Sequence, residues 1–440
     1  MKNLHLLLIT LFVFTYSNAQ IVDIPDENFK NALVNDEVAD LGTGIYEDVD
    51  TNNDGEIQVT EAESVLSLNV SSRAIFSFEG IQSFVNIEYL DCGHNGFNNL
   101  DISQISNLEF LDCSNNPLIS LNVTQNSYLK HLICNNNGLT SIDVTQNLNL
   151  EELDCNFNDL TSIDITQNLN LEYLDCYFNN IFSLDVSQNS NLEYLDCEEN
   201  LINSLDVSQN LNLVFLNCPR NDLTSLDVTQ NLNLEYLDCK GNLISSLDVS
   251  QNSNINSLNC GYNDLASLDV SLNLNLEYLS CYSNQLISLD VSQNLNLLLL
   301  YCYNNQLTNL NIKNSNNTDF IFMYAFDNPN LTCIQVDDVE YANNDFDWWK
   351  DDWAEYSKDC NLGTEYFIDI SFNLYPNPVQ DILNIESQIH INNIKIFSIN
   401  GKLVKESLDT SINVSELNSG LYFASVIVEG NTITKKFLKY

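Results

Sequence analysis

The sequence predicts a solenoid of 21-residue coils with a parallel ribbon sheet and little helix, followed by a small all-β sandwich domain. Three observations carry this. Eleven cysteines recur at an unbroken 21-residue period: Cys92, Cys113, Cys134, Cys155, Cys176, Cys197, Cys218, Cys239, Cys260, Cys281 and Cys302. An asparagine follows each of them three places on, from Asn95 to Asn305. After Cys360 the repeat stops, short alternating strands replace it, and six of the chain's lysines appear from Lys395 onward.

One unit, from Leu171 to Asn191, explains the coil. Leu174 and Cys176 alternate with Tyr173, Asp175 and Tyr177, which is strand periodicity, so each coil adds one short strand to a ribbon. Leu171, Leu174, Cys176, Ile181, Leu184 and Val186 must meet inside, and one isolated unit cannot bury them. Stacked neighbours complete the core. A second alternation, Leu184-Asp185-Val186, is expected to line the opposite wall, and Asn179 to turn inward, where an in-register stack of amides satisfies the backbone. The pattern Leu-x-x-Leu-x-(Leu or Cys)-x-x-Asn-x-Leu runs through the whole middle of the chain and resembles the leucine-rich repeat. The resemblance implies an α/β-solenoid of leucine-rich repeat type, with an extended face for binding.

Composition narrows the partners. The formal charge is -46 over 440 residues, and between Gly80 and Phe320 the basic side chains are Lys130, Arg220, Lys240 and Lys313 alone. Nucleic acid and anionic membrane surfaces are excluded as partners on this ground. A hydrophobic content of 44% excludes general disorder. Stacked strands hold the periodic cysteines ~4.8 Å apart with parallel side chains. A disulfide wants Cβ atoms about 3.5 to 4.5 Å apart and facing each other. The expectation is free thiols acting as small hydrophobes, and no Cys-x-x-Cys pair suggests zinc.

In chain order, residues 1–19 read as a signal peptide: Lys2, an apolar run from Leu4 to Phe14, then Ser17-Asn18-Ala19. The run is too short to span a bilayer, and no cysteine follows it for an acyl anchor. An N-terminal cap is expected over 20–64. It opens with a short helix from Asp26, the N-cap, carrying Phe29, Ala32 and Leu33 on one face. Within it, 50–61 fits the twelve-residue loop of an EF-hand, with Asp50, Asn52, Asp54, Glu56, Gln58 and Glu61 at the ligand positions and Gly55 at the turn. The alternative is a surface turn rich in Asp, Asn and Gly. Only Ala62 to Ser64 precede the first coil, so the match resembles an isolated EF-hand-like loop holding a structural calcium, Glu56 through its carbonyl and Gln58 through water. The solenoid is expected over 65–332, its first coil lacking both Cys and inward Asn. A C-terminal cap over 333–362 holds Trp348, Trp349 and Trp353. There Cys333 and Cys360, outside the thiol column, are expected to form a disulfide worth roughly 3 kcal/mol.

From 372 to 440, Leu374-Tyr-Pro-Asn-Pro378 opens a run of strands at Ile382–Ile385, Ile394–Phe397, Gly401–Val404, Leu421–Ile427 and Thr434–Leu438. Tyr-Pro-Asn-Pro, Ile-Phe-x-x-x-Gly, Ser419-Gly420-Leu-Tyr422 and the basic C-terminus resemble the type A C-terminal sorting domain of the type IX secretion system. That resemblance implies export through the periplasm by this machinery, removal of the domain, and a mature protein that is released or held on the cell surface.

No enzyme is expected. His94 and His131 sit in no catalytic motif, and Glu198 and Glu199 read as a solvated edge. On the concave side one outward column runs Tyr89, Phe110, His131, Glu152, Tyr173, Tyr194, Phe215, Tyr236, Ser257, Tyr278, Leu299. Beside it runs a column of mostly aspartates, including Asp154, Asp175, Asp196 and Asp238. Both are readable as stacking ladders. The alternative is a docking face over Tyr173, Asp175, Tyr177, Tyr194, Asp196, Phe215, Tyr236, Asp238, Tyr278, Tyr282 and Tyr303, since facing carboxylates repel unless a cation or basic partner meets them. Two ligand classes fit this face: protein, as in adhesion, and carbohydrate, as in polysaccharide capture.

Overall fold

The computed structural model describes residues 20–360, 372–387, 391, 393–428 and 431–440. The signal-like segment 1–19 lies outside them. Two units divide at Cys360.

In the first unit every coil contributes three residues to one ribbon, as in Tyr173–Asp175 and Tyr194–Asp196, and each residue pairs in parallel with the one 21 places on. The central residue is a fully buried leucine in each strand from Tyr89–Asp91 to Leu299–Tyr301, and the cysteine behind it is buried as well. A buried side chain therefore alternates with half-buried ones, the strand period that defines the two faces. Ser67–Asn69 opens the parallel array with Val70 in the place of cysteine, since Val70 N–H bonds the carbonyl of Asp91 as Cys92 N–H bonds that of Asp112. Two short antiparallel strands, Ala39–Asp40 and Tyr46–Glu47, close that end. Helix is confined to the two ends of the unit, at Glu27–Asn35, Val59–Ala62 and Val339–Asn344. Asp26 caps the first by accepting from the N–H groups of Asn28 and Phe29.

After the cysteine the chain must reverse direction. It does so through a residue in the left-handed region, such as Phe178 at φ 54° or Tyr262 at φ 50°. The asparagine that follows secures this strained position. Asn179 Nδ2 donates to the carbonyls of Cys176 and Cys155, and its Oδ1 accepts from Leu160 N–H at 3.0 Å. The inward amide thus stitches each coil to the one before it.

A second buried asparagine column, from Asn126 to Asn294, goes beyond the sequence reading. Asn189 is fully buried and its Nδ2 donates to the carbonyls of Ile165 and Asn168 at 3.0 and 2.8 Å. The opposite wall is lined by buried Leu184 and Val186 and their equivalents. It is hydrogen-bonded as strand only from Ser288–Asp290 onward, through Asn309–Asn311 and Cys333–Gln335 to Glu355–Ser357. The segment read as a C-terminal cap carries one coil more, because Trp348–Trp349 pairs with Phe322–Tyr324 on the ribbon side and Glu355–Ser357 with Cys333–Gln335 on the other. Trp348 is buried against Phe320, Tyr341 and Tyr356, while Trp349 and Trp353 remain about half exposed.

The second unit is all β. One antiparallel sheet holds Phe372–Tyr375, Ile382–Ser387 and Ser411–Asn413, and the other holds Leu403–Ser407, Asn393–Ser398, Gly420–Val428 and Asn431–Lys439. Phe372, Leu383, Ile394, Ile396, Ala424, Val426 and Phe437 form its core. The turn at Ser398–Gly401 closes with Gly401 at φ 70°.

Candidate functional site

The ribbon's outer columns are positioned by register alone. Because partners are 21 residues apart, chemically equivalent side chains are stacked at strand spacing. Tyr173, Tyr194, Phe215 and Tyr236 form a continuous stack, with ring centroids 4.3, 4.3 and 4.4 Å apart and planes within 10° of parallel. Tyr89 and Phe110 form another at 4.3 Å. Between the two stacks the column is polar, with His131 Nδ1 2.9 Å from Glu152 Oε2. Burial raises the phenols, Tyr194 and Tyr236 to about 12, so they stay neutral donors throughout the physiological range. Tyr194 and Phe215 have both faces covered by neighbouring rings, so the middle of the column offers ring edges outward.

Tyr282 and Tyr303 belong to the next column, one residue past the cysteine, and continue into Phe326 with centroids 4.6 and 4.7 Å apart. Tyr262 meets Tyr282 edge-on at 5.0 Å, and Lys240 Nζ lies 5.9 Å from the Tyr282 ring centre. Gly261 makes room for this ring, because a Cβ there would lie 2.7 Å from it. Tyr278 leans on Tyr301 at 5.8 Å. Further along the same column Tyr177 packs edge-on against Phe157 at 4.9 Å, and Arg220 pairs with Glu199 and lies 3.7 Å from Glu198.

The aspartate column has a structural duty that the sequence reading did not assign. Each carboxylate accepts from the N–H two residues on: Asp175 from Tyr177 at 3.0 Å, Asp196 from Glu198 at 3.0 Å and Asp238 from Lys240 at 2.9 Å. These bonds fasten the turn that leaves the strand. Asparagines occupy the second oxygens, as Asn156 does at Asp175, Asn217 at Asp196 and Asn259 at Asp238. Repulsion between neighbouring carboxylates is therefore offset locally and is not by itself an argument for a bound cation. The cost is still visible in their acidity. Burial, then the neighbouring Asp175 charge, pushes Asp154 up to about 7, and burial pushes Asp196 up to about 6. Asp175 and Asp238 are also raised by burial.

At the N-terminal end the 50–61 loop folds on its own polar groups. Asp50 is buried and accepts from the N–H groups of Asp54 at 3.1 Å and Gly55 at 2.8 Å, with Gly55 at φ 81°. Asn52 and Asp54 accept from N–H groups two residues on. Glu61, buried, accepts from Thr51 Oγ1 at 2.8 Å and from Gln58 N–H at 2.9 Å. Ile57 O accepts from Val22 N–H, which ties the loop to the start of the described chain. Gln58 Nε2 lies 3.1 Å from both carboxylate oxygens of Asp54, and Asn52 Nδ2 lies 2.6 Å from Gln58 Oε1. Glu56 pairs with Lys30 at 2.6 Å. Among the described residues no group of three or more His, Cys, Asp or Glu is gathered as a metal site. The donor set suits a hard cation by chemistry, all oxygen with three carboxylates besides Glu56. The amide of Gln58 would have to turn away from Asp54 to admit one.

Cys333 and Cys360 are joined by a disulfide with Cα atoms 5.7 Å apart, and the eleven periodic cysteines are free and buried.

Comparisons with known proteins agree with this geometry. Residues 373–440 match the family model described as a secretion system C-terminal sorting domain. The chain is a secreted or cell-surface protein. No helix among the described residues is long and apolar enough to cross a membrane. The fold resembles the functional domain of InlJ from Listeria monocytogenes, which is described as including a cysteine ladder. That match has 27% identity and a TM-score of 0.57, covering 96% of this chain and 98% of that one. An internalin, InlF, from the same organism is 19% identical with a TM-score of 0.59, covering 76% of this chain and 96% of its own. A leucine-rich repeat protein of Leptospira interrogans is 27% identical with a TM-score of 0.50, covering 63% and 74%. The solenoid is of leucine-rich repeat type. The helix-poor coils make it a β-solenoid. A comparison with curated proteins finds no match.

Proposed function

We propose that the mature protein is a non-enzymatic binding module, acting in adhesion outside the cell, and that it docks a basic polypeptide on the concave ribbon between about Tyr173 and Tyr303. The observation that carries this reading is the pairing of a half-buried aromatic stack with a row of carboxylates held above their ordinary range. A lysine or arginine placed over Asp154 and Asp196 favours their charged forms against the burial that raises them, and the adjacent ring edges and hydroxyls supply anchors. The partner's arrival expels protons, so affinity rises with pH through about 6 to 7 and levels above it. Replacing Tyr173, Tyr194 and Tyr236 together by Ala, with folding checked by circular dichroism, is expected to weaken capture of a basic peptide at least tenfold. Unchanged binding in the folded triple variant would sink the assignment.

A glycan ligand is the second reading. It rests on Trp349, about half exposed beside Phe326 at the end of the Tyr282 stack. A sugar ring stacks on an open aromatic face, and Tyr194 and Phe215 in the middle of the ribbon stack offer none. A glycan array in which Trp349→Ala alone abolishes a signal would favour it.

We also propose that calcium rigidifies the N-terminal loop through Asp50, Asn52, Asp54, Glu61 and the carbonyl of Glu56, with Gln58 acting through water. Titration calorimetry is expected to give a binding isotherm that Glu61→Gln abolishes. A flat trace at millimolar calcium removes the site.

A further inference from the structure

A column of leucines stands out on the turn that precedes each ribbon strand. Leu148, Leu169, Leu211, Leu232, Leu274 and Leu295 are each 54 to 56% exposed. Ser190 and Ser253 interrupt them at the same coil position, and Ser127 and Ser315 bound the column at its ends. The stripe is not a by-product of the core, because the next apolar residue of each coil, such as Leu150 or Leu171, is fully buried.

Its surroundings are unusual for this chain. In nine consecutive coils, from 124–129 to 292–297, the six residues around the stripe contain no Asp, Glu, Lys or Arg, in a protein of net charge -46. Serine or threonine and, except at Leu272, glutamine precede the stripe, and except at Tyr128 an asparagine follows it. That asparagine is fixed to the previous coil, as Asn212 Nδ2 is to Ser190 O at 3.2 Å. The result is a belt with an apolar centre, fixed from coil to coil and uncharged over these six positions. Depletion of charge around an apolar centre marks the core of a protein interface.

We propose that this belt is the contact between two copies of the chain, related by a two-fold axis between the coils of Leu211 and Leu232. The uncharged centre argues for a second copy, since two molecules this acidic can approach closely only there; the exposed aspartates five residues before the stripe, Asp143 to Asp290, face their own equivalents across this axis and oppose the contact at its rim. Order argues for it as well. Read in either direction the column runs Leu-Leu-Ser-Leu-Leu-Ser-Leu-Leu. An antiparallel pair therefore sets Leu211 against Leu232, Leu169 against Leu274 and Ser190 against Ser253, as an isologous contact requires. On the other side, in the glutamate column three residues on, the same axis brings Val214 level with Glu235, Glu193 with Asn256 and Glu151 with Leu298, so that Glu172 and Glu277 are the one like-charged pair of that column. Area permits it, because six half-exposed leucines offer roughly 600 Å² per copy and the polar flanks bring this to the ~800 Å² per partner of a standard interface. None of these residues belongs to the docking columns, so the two readings stand or fall separately.

Sedimentation velocity on the mature secreted chain is expected to give twice the monomer mass at micromolar concentration. Leu211→Ser with Leu232→Ser should weaken association at least tenfold with an unchanged circular dichroism spectrum, because serine already occupies this position in the coils of Ser190 and Ser253. Mixing Leu169→Cys with Leu274→Cys should give a cross-linked dimer that neither variant gives alone. A chain that stays monomeric to ~1 mM, or a dimer indifferent to the double serine variant, overturns the proposal. So does a monomer that floats with phosphatidylcholine vesicles through these leucines, or cross-linking by Leu169→Cys alone.

Discussion

At the scale of single residues, the column positions do several jobs at once, and acidity reports how they are balanced. Asp154 is held near 7 by burial and by Asp175, while asparagine serves the equivalent positions at Asn217 and Asn259. Asp154→Asn is therefore expected to stabilise the protein at pH 8 by ~1 to 2 kcal/mol, after allowance for solvent screening, and to change little at about pH 3.5, below the unfolded pKa. Thermal unfolding of the variant at the two pH values checks this. The same groups set a trend for the whole chain. Asp91, Asp154, Asp175, Asp196 and Asp238 bind protons more tightly folded than unfolded, so stability falls as pH rises from about 4 to 7. The exposed Asp143, Asp185, Asp206 and Asp227 are lowered by their serine or threonine partners, so their contribution is lost below about 4. The melting temperature should peak between about pH 4 and 6, and a maximum above pH 7 would contradict the assignment. The aspartate column was visible in the sequence, but its role was not. The bond that Asp175 accepts from Tyr177 N–H holds the start of a turn that continues through Phe178 in the left-handed region, and nothing in the identity of phenylalanine announces that conformation.

At the scale of the coil, two asparagines do the joining and only one was read from the pattern. Asn179 follows a cysteine at a fixed distance and so announced itself, whereas Asn189 sits in a Gln-Asn turn that looks like ordinary polar surface. Its burial comes from stacking: the carbonyls of Ile165 and Asn168 in the coil before it each accept one backbone N–H, and its Nδ2 supplies both with a second donor across the coils. Asn179→Ala is expected to cost ~2 to 4 kcal/mol, since it leaves the buried Leu160 N–H without an acceptor, and Asn189→Ala ~1 to 3 kcal/mol, since it removes one of two donors from each of the Ile165 and Asn168 carbonyls. Urea unfolding measures it, and a cost below 1 kcal/mol for Asn189→Ala would demote the second column. The extra coil at Trp348–Trp349 and Glu355–Ser357 escaped notice because it has lost every repeat marker, with Trp348 aligned to Met323 where a leucine would stand. Only the hydrogen-bond partners of the finished stack define it.

For the whole molecule, the repeat, the change of composition at Cys360 and the tail motifs were all legible because they are periodic or local in sequence. The docking face was legible only as columns, since the contacts that cover each ring's faces follow from stacking. Deleting 372–440 should leave the chain inside the cell envelope, as fractionation would record, and appearance of the truncated protein in the medium would refute the assignment of export to this unit. The buried thiol ladder has a further consequence, and it concerns time. All eleven thiols are inert once covered, their acidity suppressed by burial. In the unfolded chain they are ordinary accessible thiols spaced 21 residues apart, in a protein that leaves the reducing cytoplasm. Coil closure must therefore outrun oxidation. Refolding under oxidising conditions should yield native protein when folding is fast and cross-linked, misregistered chains when it is slowed by urea, with Cys333 and Cys360 the one pair that gains by waiting.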